Sequence, residues 1–254
     1  MIRITIAVAL AALASTVAAA QSKEAQQQVL VVLAHPDDEL TMAPALAALA
    51  RQGRAVTLLF ATLGDQGPGV SDREPGEALG ETRRQEAQCS ARALGANAHF
   101  LRGLGDGTLT ETPQGPSSPA ARFITQFASH YVDLDPALVL TWGPDGGYGH
   151  GDHRMVSALV SQAMQSLAAE YRPPLLYVGI PAGSLPPVPQ MASWAETDPK
   201  LLTESIRYTP ADLAAAQAAA ACHVTQFDEA TRTGMMPLFD ATMWRGKVHF
   251  RPAF

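Results

Sequence analysis

VLVVLAHPDDEL, residues 29–40, joins an apolar run to a histidine and three consecutive acidic residues. The run Val29–Ala34 reads as a strand that is buried on both faces, as strands of parallel sheets are. His35 and the carboxylates therefore follow at the point where this strand must end. Acidic residues at a helix start cap its free N–H groups and complement its dipole. Capping explains one carboxylate but not three beside a histidine, so the stretch predicts a chemical site.

Apolar strand-like runs alternate with helical patterns along the rest of the chain. Strands are expected at Val29–Ala34, Val56–Thr62, His99–Arg102, Ala137–Trp142 and Leu175–Ile180. Helices are expected at Leu40–Gln52, Gly80–Leu94, Ala120–Tyr131, Arg154–Tyr171 and Ala211–Ala221, with an edge strand at Lys247–Arg251. This alternation predicts an α/β fold, with a Rossmann-like, mostly parallel sheet and helices on both faces. We find no internal repeat or linker, so one domain over residues 21–254 is expected.

Three connections are longer than a compact α/β unit needs. They are Gly64–Leu79, Gly103–Pro119 and Pro181–Lys200, and each is rich in Gly, Pro and Ser. Each follows an expected strand, so all three should emerge at the carboxyl edge of the sheet. Ligands of open α/β sheets bind at that edge, and long loops there are usually functional. We therefore expect the active site at the carboxyl edge.

The N-terminus has the layout of a secretory signal peptide. Arg3 precedes an apolar stretch that ends in Ala18, Ala19 and Ala20. This order of charge, apolar core and small residues predicts cleavage after Ala20. No later stretch offers the roughly 18 apolar residues of a membrane span. We therefore expect an exported protein, periplasmic or secreted, without stable membrane insertion after signal cleavage.

Charge and cysteine content restrict the partners and the compartment. The formal net charge is −6 and no basic patch is present, which argues against nucleic acid as a partner. Cys89 and Cys222 fit one disulfide in an oxidising compartment, and two buried free thiols explain them equally well. The sequence leaves both this choice and the oligomeric state open.

A second cluster of polar residues follows the fourth expected strand. TWGPDGGYGHGDHR, residues 141–154, carries His150 and His153 at the spacing that separates His35 from Asp38. If both loops open at one sheet edge, they can supply a His/Asp/His set with an open coordination position, as in catalytic zinc sites. Zinc is therefore the expected ion, and Fe²⁺, Mn²⁺ or Co²⁺ could occupy the same ligands.

These motifs resemble those of the PIG-L/LmbE-like N-acetylglucosaminyl deacetylases. The resemblance rests on AHPDDE (residues 34–39) and GYGHGDHR (147–154), with smaller similarities in TLGDQG (62–67), TRRQEAQCSARALG (82–95), GLGDGTL (103–109) and CHVTQ (222–226). Asp65 stands where a glutamate is more usual in the family, and Gly151 replaces a proline. The resemblance implies a metal-dependent hydrolase that removes acetyl from an N-acetylated sugar or glycoconjugate, and the expected signal peptide would make it an exported one.

The resemblance also implies roles for individual residues. It assigns the metal to His35, Asp38 and His153. It makes Asp37 the general base that acts on the attacking water.

Further roles in the resemblance concern the transition state and the sugar. His150 would act as general acid or oxyanion stabiliser, oriented by Asp152, and Tyr148 would assist at the oxyanion. Arg83, Asp106 and Tyr148 match positions that the family uses around its sugar substrate. His223 is interpreted as a packed helix histidine rather than a ligand.

A second hypothesis places the chain in a class of proteins that bind but do not catalyse. The chain could be a non-catalytic metal- or glycan-binding module that retains the fold of a deacetylase. Asp37 argues against this alternative, because a module that only binds metal has no use for a second carboxylate aimed at the bound water.

Overall fold

A computed structural model describes residues 28–254 as a single sheet of seven strands flanked by helices. The predicted signal peptide lies outside the described residues. The strands are β1 (Gln28–Leu33), β2 (Ala55–Phe60), β3 (Asn97–Phe100), β4 (Leu138–Thr141), β5 (Leu175–Val178), β6 (Glu204–Arg207) and β7 (Lys247–Pro252). Their order is β3-β2-β1-β4-β5-β7-β6, and β1 to β5 run parallel. The predicted mostly parallel α/β sheet is confirmed.

Helices cover both faces of the sheet. They are α1 (Ala43–Arg51), α2 (Glu77–Leu94), α3 (Pro119–Leu134), α4 (Gly151–Gln165), α5 (Pro210–Cys222) and α6 (Glu229–Phe239). Because successive side chains of a strand point to opposite faces, β1 feeds two cores. Val29, Val31 and Leu33 pack with α1, α2, α5 and α6, whereas Leu30 and Val32 pack with α3 and α4.

The order of the strands determines where the site lies. β2 pairs with β1 on one side and β4 pairs with β1 on the other, with Val32 opposite Thr141. The chain thus reverses its direction of travel across the sheet between β1 and β4. A crevice opens outside the carboxyl ends of the strands at such a switch point. The residues that follow β1 and β4 therefore face each other.

The carboxyl-terminal part of the sheet differs from the sequence expectation. The strand expected at the edge, Lys247–Arg251, is β7, which lies between β5 and β6 and is antiparallel to both. The edge position belongs to β6, whose sequence ESIR has little apolar content and gives no strand signal. Val248 and Phe250 of β7 are buried, because β6 and the neighbouring helices cover them.

The helices also differ in part from those expected. α1 begins at Ala43 rather than at residue 40, because a 3₁₀ turn, Asp38–Thr41, comes first. α4 runs from Gly151 to Gln165, so it begins inside the second polar cluster and ends earlier than expected. α6 was not expected, since its sequence contains Pro237 and two threonines.

Two features bear on export and membranes. Cys89 of α2 and Cys222, the last residue of α5, form a disulfide with Cα atoms 5.8 Å apart. The choice that the sequence left open between a disulfide and two thiols is therefore settled in favour of the disulfide. Within residues 28–254, none of the helices combines the length and apolar character that a bilayer crossing requires.

Candidate metal centre and active site

Three donor atoms converge where β1 and β4 end. His153 Nε2 lies 3.0 Å from Asp38 Oδ1 and 3.2 Å from His35 Nδ1. His35 Nδ1 and Asp38 Oδ1 are 4.0 Å apart, and all three side chains are buried. Ligands about 2.0–2.1 Å from a tetrahedral zinc ion stand about 3.3 Å from one another. The triangle of donors therefore has about the size that such an ion requires.

The two carboxylate oxygens of Asp38 have different partners. Its Oδ2 accepts hydrogen bonds from the backbone N–H groups of Ala34 at 2.9 Å and His35 at 3.0 Å, and from Trp142 Nε1 at 3.0 Å. These donors fix the carboxylate and direct Oδ1 toward His153. Burial opposes the charge, but His153, His35 and the Trp142 hydrogen bond outweigh it and hold the pKa of Asp38 far below its usual value. Asp38 is therefore an anionic ligand held in position before any ion binds.

The tautomers of both histidines suit metal binding. His153 Nδ1 lies 3.1 Å from the carbonyl oxygen of Gly146 and donates to it, which leaves a lone pair on Nε2. His35 Nε2 lies 2.9 Å from Asp106 Oδ1 and 3.5 Å from Asp152 Oδ2, between two carboxylates, without the alignment of a regular hydrogen bond to either. A proton on Nε2 leaves the lone pair of His35 on Nδ1. Partners of this kind select the tautomer of a metal-bound histidine.

A positive charge is needed between these donors. The lone pairs of His35 Nδ1 and His153 Nε2 face each other at 3.2 Å, beside Asp38 Oδ1. Burial opposes a charge on His35, but the carboxylates of Asp106, Asp152 and Asp38 outweigh burial and raise the pKa of His35 to about 10. A proton and a metal ion compete for such a position. His35, Asp38 and His153 therefore fit a divalent cation.

Two other combinations of donors come within 4.8 Å of one another. They are His35, His150 and His153, and His35, Asp106 and Asp152. The oxygens of Asp152 already accept from the backbone N–H groups of Gly107 and Leu109 at 2.7 and 3.3 Å. Among the residues that the structure describes, the backbone donors to Asp38 reach Oδ2 and none reaches Oδ1, so we favour the set that contains Asp38.

Asp37 stands beside this set in an uncommon backbone conformation. Its φ angle is 98°, in the left-handed region that few residues other than glycine adopt. Its backbone N–H donates to Glu39 Oε2 at 3.0 Å, and Arg83 Nη2 lies 3.5 Å from Asp37 Oδ1. Burial raises the pKa of Asp37 to about 6 in spite of the opposing effect of Arg83. A carboxyl group with a pKa near neutrality is suited to transfer protons in both directions.

His150 and Asp152 are arranged differently from the expectation. The backbone N–H of Asp152 donates to His150 Nδ1 at 3.2 Å, whereas the carboxylate of Asp152 faces His35 and the backbone of the 103–109 loop. The orientation of His150 thus comes from the main chain at the start of α4. Burial, followed by His35 and His153, lowers the pKa of His150. His150 is therefore neutral at pH 7 and carries its proton on Nε2.

The three residues expected around the sugar differ in their exposure to solvent. Arg83 is buried, and its Nη1 and Nη2 donate to the carbonyl oxygens of Gly64 and Pro36, both at 2.7 Å. Asp106 faces His35, as described above. Tyr148 is 45 % exposed and lies at the rim of the site. All nine residues expected from the sequence thus come together, with Arg83 tying the loops and Tyr148 open to solvent.

A buried polar network behind Asp37 was not expected from the sequence. Glu39 Oε1 accepts a hydrogen bond from Ser90 and lies 2.7 Å from His223 Nε2, and both Glu39 and His223 are fully buried. Glu39 Oε2 holds the backbone of Asp37. His223 therefore packs at the end of α5, outside the donor triangle. In the sequence, only the third carboxylate of the run Asp37–Glu39 indicated that such a network could exist.

Solved structures share the fold over most of the chain. The N,N'-diacetylchitobiose deacetylase from Pyrococcus horikoshii has a TM-score of 0.64 at 17% identity, over 89% of this chain and 83% of that one. The 4-carboxy-2-hydroxymuconate hydratase GalB from Pseudomonas putida has a TM-score of 0.63 at 17% identity, over 90% and 96%. At this identity the likeness concerns the fold alone. Because the fold serves both a deacetylase and a hydratase, the reaction must be argued from the site.

Sequence relatives point to one family. A 1D-myo-inositol 2-acetamido-2-deoxy-alpha-D-glucopyranoside deacetylase from Corynebacterium efficiens is 37% identical over 141 residues, which are 50% of this chain and 45% of that protein. The chain thus matches about half the length of this relative. The profile of the PIG-L family, described as GlcNAc-PI de-N-acetylase, matches residues 30–164, or 135 of the 254. This match spans both polar clusters and more than half of the chain, which therefore belongs to the PIG-L family.

Proposed function

We propose that this protein is a metal-dependent N-deacetylase that removes acetyl from an N-acetylated sugar or glycoconjugate. The observation that carries the proposal is the triangle of His35, Asp38 and His153 with the carboxyl group of Asp37 beside it. His35, Asp38 and His153 would hold the ion, for which zinc is the first choice and Fe²⁺, Mn²⁺ or Co²⁺ are alternatives. When bound, the ion supplies Lewis-acid activation of water and of the amide carbonyl.

Asp37 is the proton carrier in this proposal. Its carboxylate accepts a proton from the water that attacks the amide carbon. The same group then donates the proton to the amine nitrogen as the C–N bond breaks, so one residue serves as base and acid. A pKa of about 6 suits both steps. Arg83 and Glu39 both hold Asp37 in place, Arg83 through the side chain of Asp37 and Glu39 through its backbone N–H.

His150 stabilises the negative charge that develops on the carbonyl oxygen. Since its Nδ1 accepts the backbone N–H of Asp152, its Nε2–H is free to donate toward the reacting group. A fixed donor of this kind stabilises the transition state more than the substrate, because the charge appears only there. The phenol of Tyr148 at the rim adds a second donor.

The compartment is part of the same proposal. We infer that the protein is exported and acts in the periplasm or outside the cell. The signal-peptide pattern of residues 1–20 and the disulfide between Cys89 and Cys222 support this inference. Disulfides persist in oxidising compartments and are rare in the cytosol.

Metal analysis and acetate release test the proposal together. The purified protein should contain about one divalent ion per chain and release acetate from N-acetylglucosamine oligomers, and chelation should abolish the release. Asp37→Ala should retain the ion and lose hydrolysis by a factor of roughly 10² to 10⁴. Asp72→Ala, at an exposed carboxylate, is the matched control. Stoichiometric metal without release from any acetylated sugar would instead favour the non-catalytic binding module.

A further inference from the structure

A groove of about 980 Å³ opens directly onto the proposed catalytic centre, with Asp37 and Asp38 among its lining residues. One wall is a face of α6 that presents Ala230, Gly234 and Leu238 at helical spacing. We call this cavity the α6 groove. Its volume is at the upper end of pockets that bind drug-sized ligands, of about 300–1,000 Å³. An acetyl group occupies only a small part of such a space.

Most of the other residues that line the α6 groove are apolar as well. Val188, Met191 and Trp194 come from the long loop after β5, and Trp142 and Phe227 contribute aromatic surface. Val70, also in the lining, is 58 % exposed, so the apolar surface continues to the rim. Exposed apolar surface of this kind marks a ligand-binding groove or an interface.

The lining also contains polar side chains, namely Asp37, Asp38, Thr41, Tyr148, Gln190, Gln226, Asp228 and Thr231. Gln226 donates to the carbonyl oxygen of Gly67, and Asp228 accepts from the backbone N–H of Thr231, so these two groups already have partners. His150 and Asp106 are absent from the lining of the α6 groove among the described residues, and both surround His35 instead. A scissile amide held at Asp37 has two substituents. The hydroxyl groups of a sugar need donors and acceptors, whereas a hydrocarbon chain needs none and fits the apolar side chains that make up most of the lining. The apolar substituent of the amide is therefore the one that fits the α6 groove.

We propose that the α6 groove receives the acyl chain of the substrate, so that the protein hydrolyses N-acylated amino sugars with acyl groups longer than acetyl. The proposal rests on the amide hydrolysis described under Proposed function. Water adds to the amide carbon, the C–N bond breaks, and the products are a fatty acid and a free amino sugar. Neither oxidant nor co-reactant is required.

A series of N-acyl glucosamines tests the groove. The acetyl, butanoyl, hexanoyl and octanoyl amides share one leaving amine, and the glucosamine released from each gives kcat/KM. Each buried methylene should raise kcat/KM about three- to fourfold until the groove is full. A parallel series of alkyl N-acetylglucosaminides lengthens the other substituent. A rise in that series without a rise in the acyl series would overturn the proposal, because the groove would then receive the aglycone.

Gly234→Phe tests the location of the chain. A Cβ atom at Gly234 meets no atom within 4 Å, so a larger side chain can occupy the groove without a clash in the helix. The variant should lower the octanoyl-to-acetyl ratio of kcat/KM at least roughly tenfold, which corresponds to the burial of two methylenes. Gly234→Ala, the matched control, should keep the ratio. An unchanged ratio in a folded Gly234→Phe protein would overturn the proposal.

The outcomes separate the two inferences. Hydrolysis of the acetyl amide without a gain from longer chains would overturn the acyl-chain proposal and leave the deacetylase intact. Hydrolysis of no amide in either series by the metal-loaded protein would overturn both.

Discussion

Removal of the disulfide between Cys89 and Cys222 should lower the free energy of unfolding by about 5 kcal/mol. The disulfide joins α2 to the end of α5 across a sequence separation of 133 residues. Both side chains are only partly buried, so their replacement by alanine removes little apolar contact. The main effect is therefore the freedom that the unfolded chain gains.

The magnitude follows from the length of the closed loop. A cross-link that closes a loop reduces the entropy of the unfolded chain by an amount that increases with the logarithm of the loop length. For a separation of 133 residues the chain-entropy relation gives about 5 kcal/mol at 25 °C. A chain of this size loses about 2–4 °C in Tm per kcal/mol, so the expected decrease is about 10–20 °C.

Thermal unfolding of the Cys89→Ala/Cys222→Ala variant measures this effect. A reductant should lower the Tm of the natural protein to the Tm of the variant. The Tm of the variant itself should not respond to the reductant, which controls for effects of the reductant other than cleavage of this disulfide. A decrease of less than about 1 kcal/mol would refute the reasoning, because the unfolded chain would then be restrained without the cross-link. Hydrolytic activity measured well below the Tm should persist in the variant. The hydrogen bond between His223 and Glu39 does not depend on the disulfide and still holds the buried polar network behind Asp37.

Three further predictions concern the site. His153→Ala should lose the metal, because one corner of the donor triangle disappears, and metal content near one per chain in that variant would contradict the assignment. Burial raises the pKa of Asp37 to about 6, and its carboxylate must be ionised to act as a base, so kcat/KM should increase as pH rises through about 6. An acidic limb centred near pH 4 would contradict the raised pKa of Asp37. Glu39→Gln should destabilise the protein by about 3–5 kcal/mol in urea unfolding, because it breaks a buried ion pair with His223. A loss under about 1 kcal/mol would show that this pair is not ionised.

Local patterns in the sequence were sufficient for the parallel part of the fold. The apolar runs of β1, β2, β4 and β5 are continuous and bounded by turn residues. Such runs are typical of strands that are buried on both faces of a parallel sheet, so the sequence alone predicts them. Edge strand β6 is short and polar, and its pairing with β7 depends on residues distant in sequence. Propensity alone therefore could not separate an interior β7 from an edge strand.

The sequence by itself determined which chemical groups meet, because AHPDDE and GHGDH each follow a strand and parallel strands bring their carboxyl ends to one edge. Tertiary structure alone decided which atoms of these groups are free. The proton of His153 is placed by the carbonyl of Gly146, Arg83 is occupied by backbone oxygens, and Glu39 turns inward to His223. The α6 groove is likewise lined by residues of α6, of the loop after β5 and of the segment after β1, which are far apart in the chain. Burial and hydrogen bonding set protonation and access, and both depend on contacts between residues far apart in the chain.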